Sequence, residues 1–315
     1  MSWIVMLTQL GLPLALLVWV ALFPAAGVLA LALQVISVAA VLLGISLAAL
    51  WTMPPFWVPY VYGGAFVLIL VRHLLKGAFA GQDLWPTSGG NLLVLLLVSG
   101  LGLLGCYLAF EALKGRALPE GDVVDIAAPF PPGHYLIASG GSTQTINPHL
   151  NTLDKTVERF QPWRGQSKAM DIFRIEPLGL HKDGWQPREP DRYLTFGTPI
   201  LAPCQGRVAR VVDGVRDMPV PQMDRDHMAG NYVAIECGDA FIILAHFRQG
   251  SVAVTTNDQV VVGDFLGQMG NSGNSSEPHL HVHAQRGLPE SMPLAGEPLW
   301  LTIDGQFLVR NDRIK

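Results

Sequence analysis

Three histidines at alternate positions, His279, His281 and His283, stand in the segment EPHLHVHA (277–284) of a 315-residue chain with only nine histidines. Strand side chains alternate between faces, so these imidazoles would share one face while Leu280 and Val282 take the other. Imidazoles grouped in this way can converge on a metal ion and its water; the alternative is a polar strand face that binds nothing. A hydrolytic zinc site needs three protein ligands and an open position. It also needs groups that move protons and stabilise a tetrahedral oxyanion. Further candidates are His149 in INPH (146–149), Asp171 in KAMDI (168–172) and His246 in LAHF (244–247). His246 follows an apolar run, 241–245, where a core strand can deliver a polar side chain to a cleft. Taken singly, each of the three is more often a structural residue.

Charge separates the elements that must carry these residues from the rest of the chain. Half of the residues are hydrophobic and 15% are charged, against roughly a quarter charged in an ordinary soluble domain. Only six of the 46 Asp, Glu, Lys and Arg residues fall in 1–117, and 1–71 contains none. Four apolar runs there, 3–23, 28–51, 56–75 and 91–113, each reach about the 20 residues that cross a bilayer. Pro24, Pro54–Pro55 and the 76–90 stretch with Gln82, Asp83 and Pro86 separate them. Trp51, Trp57, Tyr60, Tyr62 and Trp85 lie near their ends, as interfacial aromatics do. The first run lacks a basic flank and is followed by three more, so it is expected to be retained rather than cleaved. Arg72, His73 and Glu111 sit only near span ends, which favours an anchor of packed helices over a transport path. Gly63–Gly64–Ala65 and Gly100, Gly102 and Gly105 are expected to let helices approach closely. Lys76 and Arg72 on one side are matched by Lys114 and Arg116 on the other, so cation placement leaves the orientation open.

The remaining part, 118–315, carries 17 basic and 23 acidic residues, an excess opposite to that of a nucleic-acid binder. Short alternating runs at 207–212, 232–237, 240–245, 251–254 and 280–284, separated by Gly, Asn, Asp and Pro, predict a mainly-β domain. The expected division is a membrane region 1–117, a linker 118–134 and a mainly-β domain 135–315. The Pro-rich stretch 127–133 is expected as a linker or an extended lead-in strand. The glycine-rich GNSGNS (270–275) lacks the Gly-Lys-Ser/Thr ending of a phosphate loop and runs into a strand; a tight turn beside the site is expected. Cys204 and Cys237 lie on segments that neighbouring strands could supply. They are either a bonded pair, suited to an oxidising compartment, or two small buried residues; the bonded pair is the expectation.

The run 198–285 resembles the lysostaphin/LytM-type zinc metallopeptidases in four motifs taken in order. GTPILAPCQGRV (197–208) is similar to the family's "GTPV-A-G-V" segment. GNYVAI (230–235) followed by LAHF is similar to its "G-V-I … YAHL" strands. VVVGDFLGQMGNSGNS (260–275) is similar to "V-GQ-IG-GNTGNS" and leads directly into Pro278-His279-Leu280-His281. With the upstream Asp segment the likeness covers about 135–290. It implies a mainly-β domain of antiparallel sheets and one Zn2+ per chain. It further implies Asp171 and His281 as metal ligands, with His279 and His246 as catalytic groups; His283 has no ligand role in it. The family commonly places its first ligand four residues before the Asp, and that position here is Ser167. A membrane-anchored variant has instead a "GG … N-H" segment upstream of "Q-x-x-A-x-D". This chain reads Gly140-Gly141 … Asn147-Pro148-His149 and Gln166 … Asp171, so His149 is the expected first ligand, with His134 and His181 as substitutes.

The resemblance implies a membrane-anchored endopeptidase that cleaves peptide cross-links of bacterial peptidoglycan. It would lie in the cytoplasmic (inner) membrane, with its catalytic domain extracytoplasmic. Wall peptides and the lipid bilayer are the expected partners, with no nucleic acid; nothing in the sequence points to a protein partner. The rival expectation is a module of the same type that no longer cleaves and instead binds the wall or activates other wall hydrolases. A membrane scaffold with a closed structural metal site, completed by His283, would be a third.

Overall fold

The computed structural model describes residues 2–77, 83–84 and 89–315, which form two compact units, Met1–Lys114 and Gly115–Lys315. Gln82, Trp85 and Pro86 of the 76–90 stretch lie outside the described residues.

Among the described residues of the first unit, four helices are long and apolar enough to cross a membrane: α1 (Trp3–Leu22), α2 (Val28–Ala48), α3 (Val58–Leu75) and α4, whose apolar part is Leu93–Lys114. Their few polar groups are used at the helix ends. Gln34, fully buried, accepts from Ala25 N–H (2.8 Å) and donates to Phe23 O (3.1 Å), tying down the α1–α2 turn. A π-helical stretch at Met6–Gly11 interrupts α1, and the Tyr62 hydroxyl donates to Gln9 O within it (2.9 Å). Arg72 and His73 donate to the α1 carbonyls of Ala21 and Val20 (2.9 Å each), acceptors that a helix C-terminus leaves unpaired. Glycine provides the α2–α4 contact: a Cβ at Gly102 would meet Ser37, one at Gly105 the Ala40 backbone, and one at Gly44 the Gly105 backbone. Gly63, Gly64 and Gly100 face open space, so the close approach expected there is absent. Of the aromatics, Trp57 and Tyr60 are exposed as interfacial residues would be, whereas Trp51 and Tyr62 turn inward to pack with Leu17 and Val58.

The second unit is mainly β. Its strands are β1 (Val123–Ile126), β2 (Tyr135–Ser139), β3 (Met170–Arg174), β4 (Pro199–Leu201), β5 (Gly206–Val212) and β6 (Asn231–Cys237), then β7 (Ala240–Phe247), β8 (Gln259–Val260), β9 (Phe265–Gln268), β10 (Leu280–Arg286), β11 (Glu297–Ile303) and β12 (Arg313–Ile314). The large sheet runs β12-β2-β3-β10-β7-β6-β5-β8; β11 joins β10 beyond the end of β3, and β4 pairs β9 separately. Every pairing is antiparallel except β1 with β11. Residues 123–126 therefore belong to the sheet, within the segment expected to link. The 251–254 run forms no strand; Val252 N–H goes to the Asp213 carboxylate and Ala253 N–H to Leu266 O instead of to a ladder.

Both faces of the central strands are buried. One carries Met170, Ile172, Val233, Ile235, Ile242, Leu244, Leu280, Val282 and Ala284. The other carries Tyr232, Ala234, Ile243 and Ala245 with Leu294. Alternation on β10 places His281 and His283 on the second face, because His281 opposes Ala245 and His283 opposes Ile243. Two 3-10 stretches, Pro148–Leu153 and Glu158–Lys168, precede β3.

Candidate metal centre

Strand register brings the first two candidate ligands together. Asp171 on β3 directly opposes His281 on β10, so their side chains rise from one face, with His281 Nδ1 3.0 Å from Asp171 Oδ1. His149 reaches the same carboxylate from the Pro148–Leu153 turn, its Nε2 3.5 Å from Oδ2. The turn is held by Asn147, nearly fully buried. Its amide nitrogen donates to Gly141 O (3.0 Å) and Ala169 O (3.1 Å), while its Oδ1 accepts from His149 N–H (3.3 Å) and lies 3.1 Å from His149 Nδ1. Gly141 makes this close fit possible with φ 102° and no side chain where Ile146 and the Gly115 carbonyl crowd it.

Two more imidazoles complete the cluster. His246, near the end of β7, has φ 64°, an uncommon conformation for a histidine. Its Nδ1 donates to Ser272 O at 2.8 Å, which aims Nε2 into the site and gives the GNSGNS turn its place beside it. His279, just ahead of β10, donates from Nδ1 to Glu277 O (2.8 Å) and holds Nε2 3.4 Å from Asp171 Oδ1. The His246 and His279 rings are 4.7 Å apart and the His246 and His281 rings 5.7 Å apart.

Burial and mutual charge set the protonation states. Desolvation pushes His149 down to about 4 against the pull of Asp171, and pushes His246 well below its usual range with help from His279 and His281. Burial opposes ionisation of Asp171, yet His149, His279 and the hydrogen bonds of His279 and His281 hold its carboxyl well below the carboxylate range. His279 is also desolvated, but Asp171 and the Glu277 carbonyl outweigh that and raise it. Neutral imidazoles beside an ionised carboxylate are the donor set that a divalent ion requires. The donor atoms of His149, Asp171 and His281 all lie within 4.8 Å of one another, as do those of His246, His279 and His281. Their closest approaches of 3.0 and 3.5 Å to the carboxylate match the separation of about 3.3 Å between donors on a tetrahedral ion with bonds of ~2.0–2.1 Å. Residues and group fit.

The substitutes for His149 lie elsewhere. His181 is buried, stacked on Phe173 and bonded to the Glu277 carboxylate (3.2 Å). His134 enters neither donor group among the described residues. Ser167 is fully buried and pairs with the Thr152 hydroxyl (2.7 Å). His283 sits behind His281 rather than beside the carboxylate. Arg310 was not visible as a site residue in the sequence: its guanidinium donates to Ala138 O (3.0 Å) and Thr145 O (2.9 Å) and lowers His149 further. Burial brings Arg310 itself down to about 10. No local motif marks it, because the carbonyls of Ala138 and Thr145 that it meets lie far away in the chain.

An antiparallel sheet that gathers four histidines and an aspartate at one end has the make-up of a metallopeptidase domain. Residues 191–293, within the C-terminal unit, match the family model for Peptidase family M23. The match takes in His246, His279 and His281; His149 and Asp171 precede it. The cell division protein DipM of Caulobacter vibrioides is 27% identical over 119 residues, which are 38% of this chain and 17% of DipM. Among solved structures, the catalytic domain of lysostaphin from Staphylococcus simulans is 20% identical and covers 39% of this chain and 71% of its own, with a TM-score of 0.26. The deep-sea M23 metalloprotease pseudoalterin is 13% identical and covers 56% and 75%, with a TM-score of 0.32.

Proposed function

We propose that the C-terminal unit is a zinc metalloendopeptidase that cleaves peptide cross-links of bacterial peptidoglycan, and that residues 1–117 anchor it in the cytoplasmic membrane. The catalytic domain is 135–315, to which the 118–134 segment adds strand β1. The observation that carries the reading is the convergence of His149, Asp171 and His281 with two further imidazoles on the same side. His149, Asp171 and His281 would hold the ion. An ion held by these residues would supply Lewis-acid chemistry, lowering the pKa of a bound water and polarising a scissile carbonyl. His246, kept neutral by burial and committed at Nδ1 to Ser272, offers Nε2 as the acceptor for a proton of the attacking water. His279, raised by Asp171, holds a proton at Nε2 for the developing oxyanion or the leaving amine. His246, His279 and His281 form the second donor group, but the set containing Asp171 is preferred for the ion because its carboxylate supplies negative charge.

The Cys204–Cys237 disulfide supports an extracytoplasmic domain, since disulfides persist in oxidising compartments. Wall peptide and lipid are the partners this reading requires.

The test uses the full chain in detergent or lipid, measuring bound metal and incubating with purified peptidoglycan. One zinc per chain and new peptide amino termini are expected. His149→Ala should lose the zinc. His246→Ala and His279→Ala should keep it and slow cleavage by roughly a hundredfold or more. Tight zinc with no cleavage at any pH would replace the enzyme by a wall-binding module, and no zinc at all would remove the metal centre.

A further inference from the structure

Between Ser139 and His149 the chain leaves the candidate centre and returns to it. Ser139, the last residue of β2, directly opposes Asp171 on β3. From there residues 140–148 turn out and back and deliver His149 to the same carboxylate, its Nε2 3.5 Å from Oδ2. The outgoing leg is fixed by the sheet, whereas the returning leg belongs to no strand. The separation of the two legs therefore decides whether His149 reaches Asp171. Within the loop, the legs are joined by Gly140 N–H to Ile146 O (3.3 Å) and by the Asn147 amide to Gly141 O (3.0 Å).

Arg310 bridges the same legs from outside. Its Nε donates to Ala138 O on the outgoing leg (3.0 Å) and its Nη1 to Thr145 O on the returning one (2.9 Å). A guanidinium is planar and rigid, so two donors of one group set the spacing of the carbonyls they meet; a lysine ammonium is a single point on a flexible stem. The backbone around Arg310 is itself tied to β2 and the loop. Asn311 N–H donates to Ile137 O (2.9 Å), Ile137 N–H to Asp312 O (2.9 Å) and Arg310 N–H to Gly140 O (3.4 Å). This approach needs glycine at 140, where a Cβ would stand 2.9 Å from the Ile137 side chain and 3.0 Å from Leu308 O.

Charge alone would make Arg310 a poor neighbour for the centre. Its positive charge is felt at both His149 and Asp171, and a cation repels a divalent ion that approaches the same groups. The electrostatic and the geometric effects of this side chain on metal binding thus have opposite signs, and substitutions can separate them.

We propose that Arg310 is a positioning residue of the metal centre, which bridges the two legs of the 138–149 segment and so holds His149 within reach of Asp171. The inference rests on the metal reading above and concerns where the first ligand stands. The end of the chain thereby takes part in the centre, although Arg310 lies 172 and 165 residues from the two carbonyls it bridges.

The test has two readouts besides activity, both on the full chain in detergent or lipid. Zinc affinity, read by competition with a chromophoric chelator, should fall roughly tenfold or more in Arg310→Ala and in Arg310→Lys, the lower part of the range that outer partners of metal ligands contribute. Arg310→Lys keeps the charge and loses the fork. A role through charge alone predicts unaltered affinity in the Lys variant and a gain in the Ala variant, and either result overturns the proposal. The second readout is amide hydrogen exchange of the metal-free chain. The 138–149 segment should exchange several-fold faster in both variants while β7 and β10 keep their protection; a uniform increase across the domain, or none, overturns it. Should the Ala variant fail to fold, the Lys variant and the unaltered chain still decide. In the unaltered metal-free chain the bonded amides of Gly140, Ile146 and Asn147 should exchange slowly, and rapid exchange there overturns the proposal. An unaltered chain that takes up no zinc removes the metal reading alone, and the exchange pattern then supports or overturns the positioning role by itself.

Discussion

Glu277 shows how much of the site lies outside its reactive atoms. Its backbone carbonyl holds His279, while its carboxylate, 15% exposed, receives His181 Nε2 (3.2 Å) and Lys182 Nζ (3.3 Å). Burial would raise its pKa, but His181 and then Lys182 outweigh that and bring it from 4.5 to about 2. A carboxyl depressed in the folded state adds stability that is present above its unfolded pKa and lost as pH falls through the folded one. The stability difference between the unaltered chain and Glu277→Gln should hence be constant at neutral pH and shrink between 4.5 and about 2; melting temperatures across that range check it, and a difference independent of pH would contradict it. The H-x-H run was legible in the sequence because alternation alone puts such residues on one face, whereas Asp171 and His149 were implied only by the family resemblance. Asn147 and Arg310 were not legible, because each is defined by backbone carbonyls that no local motif marks.

Among the elements, β5, β6, β7 and β10 could be read from alternation to within one or two residues of their observed ends. Strands β2 and β11 are buried on nearly every residue, and β3 buries Met170, Ile172 and Phe173 on both faces, so none carries a two-residue period to read. Strand β1 is hidden for another reason: its partner β11 lies more than 170 residues on, in parallel register (Val123 with Trp300). The Cys204–Cys237 bond joins the segment ahead of β5 to the end of β6, across 33 residues of chain. Closing such a loop restricts the unfolded chain and adds roughly 3–4 kcal/mol by the chain-entropy account. Cys204→Ser with Cys237→Ser, or reduction of the native chain, should lower stability by that order in denaturant titration. No change, or labelling of both thiols in the unreduced chain, would contradict the bond.

At the scale of the whole molecule, charge asymmetry alone divided the chain, since 71 residues free of Asp, Glu, Lys, Arg and His cannot form an ordinary soluble surface. Orientation was not legible, because the flanking cations are evenly shared; only the disulfide and the proposed substrate point outward. Reporter fusions placed after Arg116 should accordingly behave as extracytoplasmic, and fusions in the 76–90 stretch as cytoplasmic. The opposite pattern would end the wall-hydrolase proposal whatever the metal content.

The left-handed backbone at His246 has a consequence for how far this domain could be improved. An L-residue with a side chain held at positive φ carries a cost on the order of 1 kcal/mol or more that glycine escapes. His246→Gly and His246→Ala both delete the imidazole, so a comparison of the two isolates the backbone. The glycine variant should melt higher, and its activity should be as low as that of the alanine variant. The backbone strain would then lie at the residue proposed to take the proton.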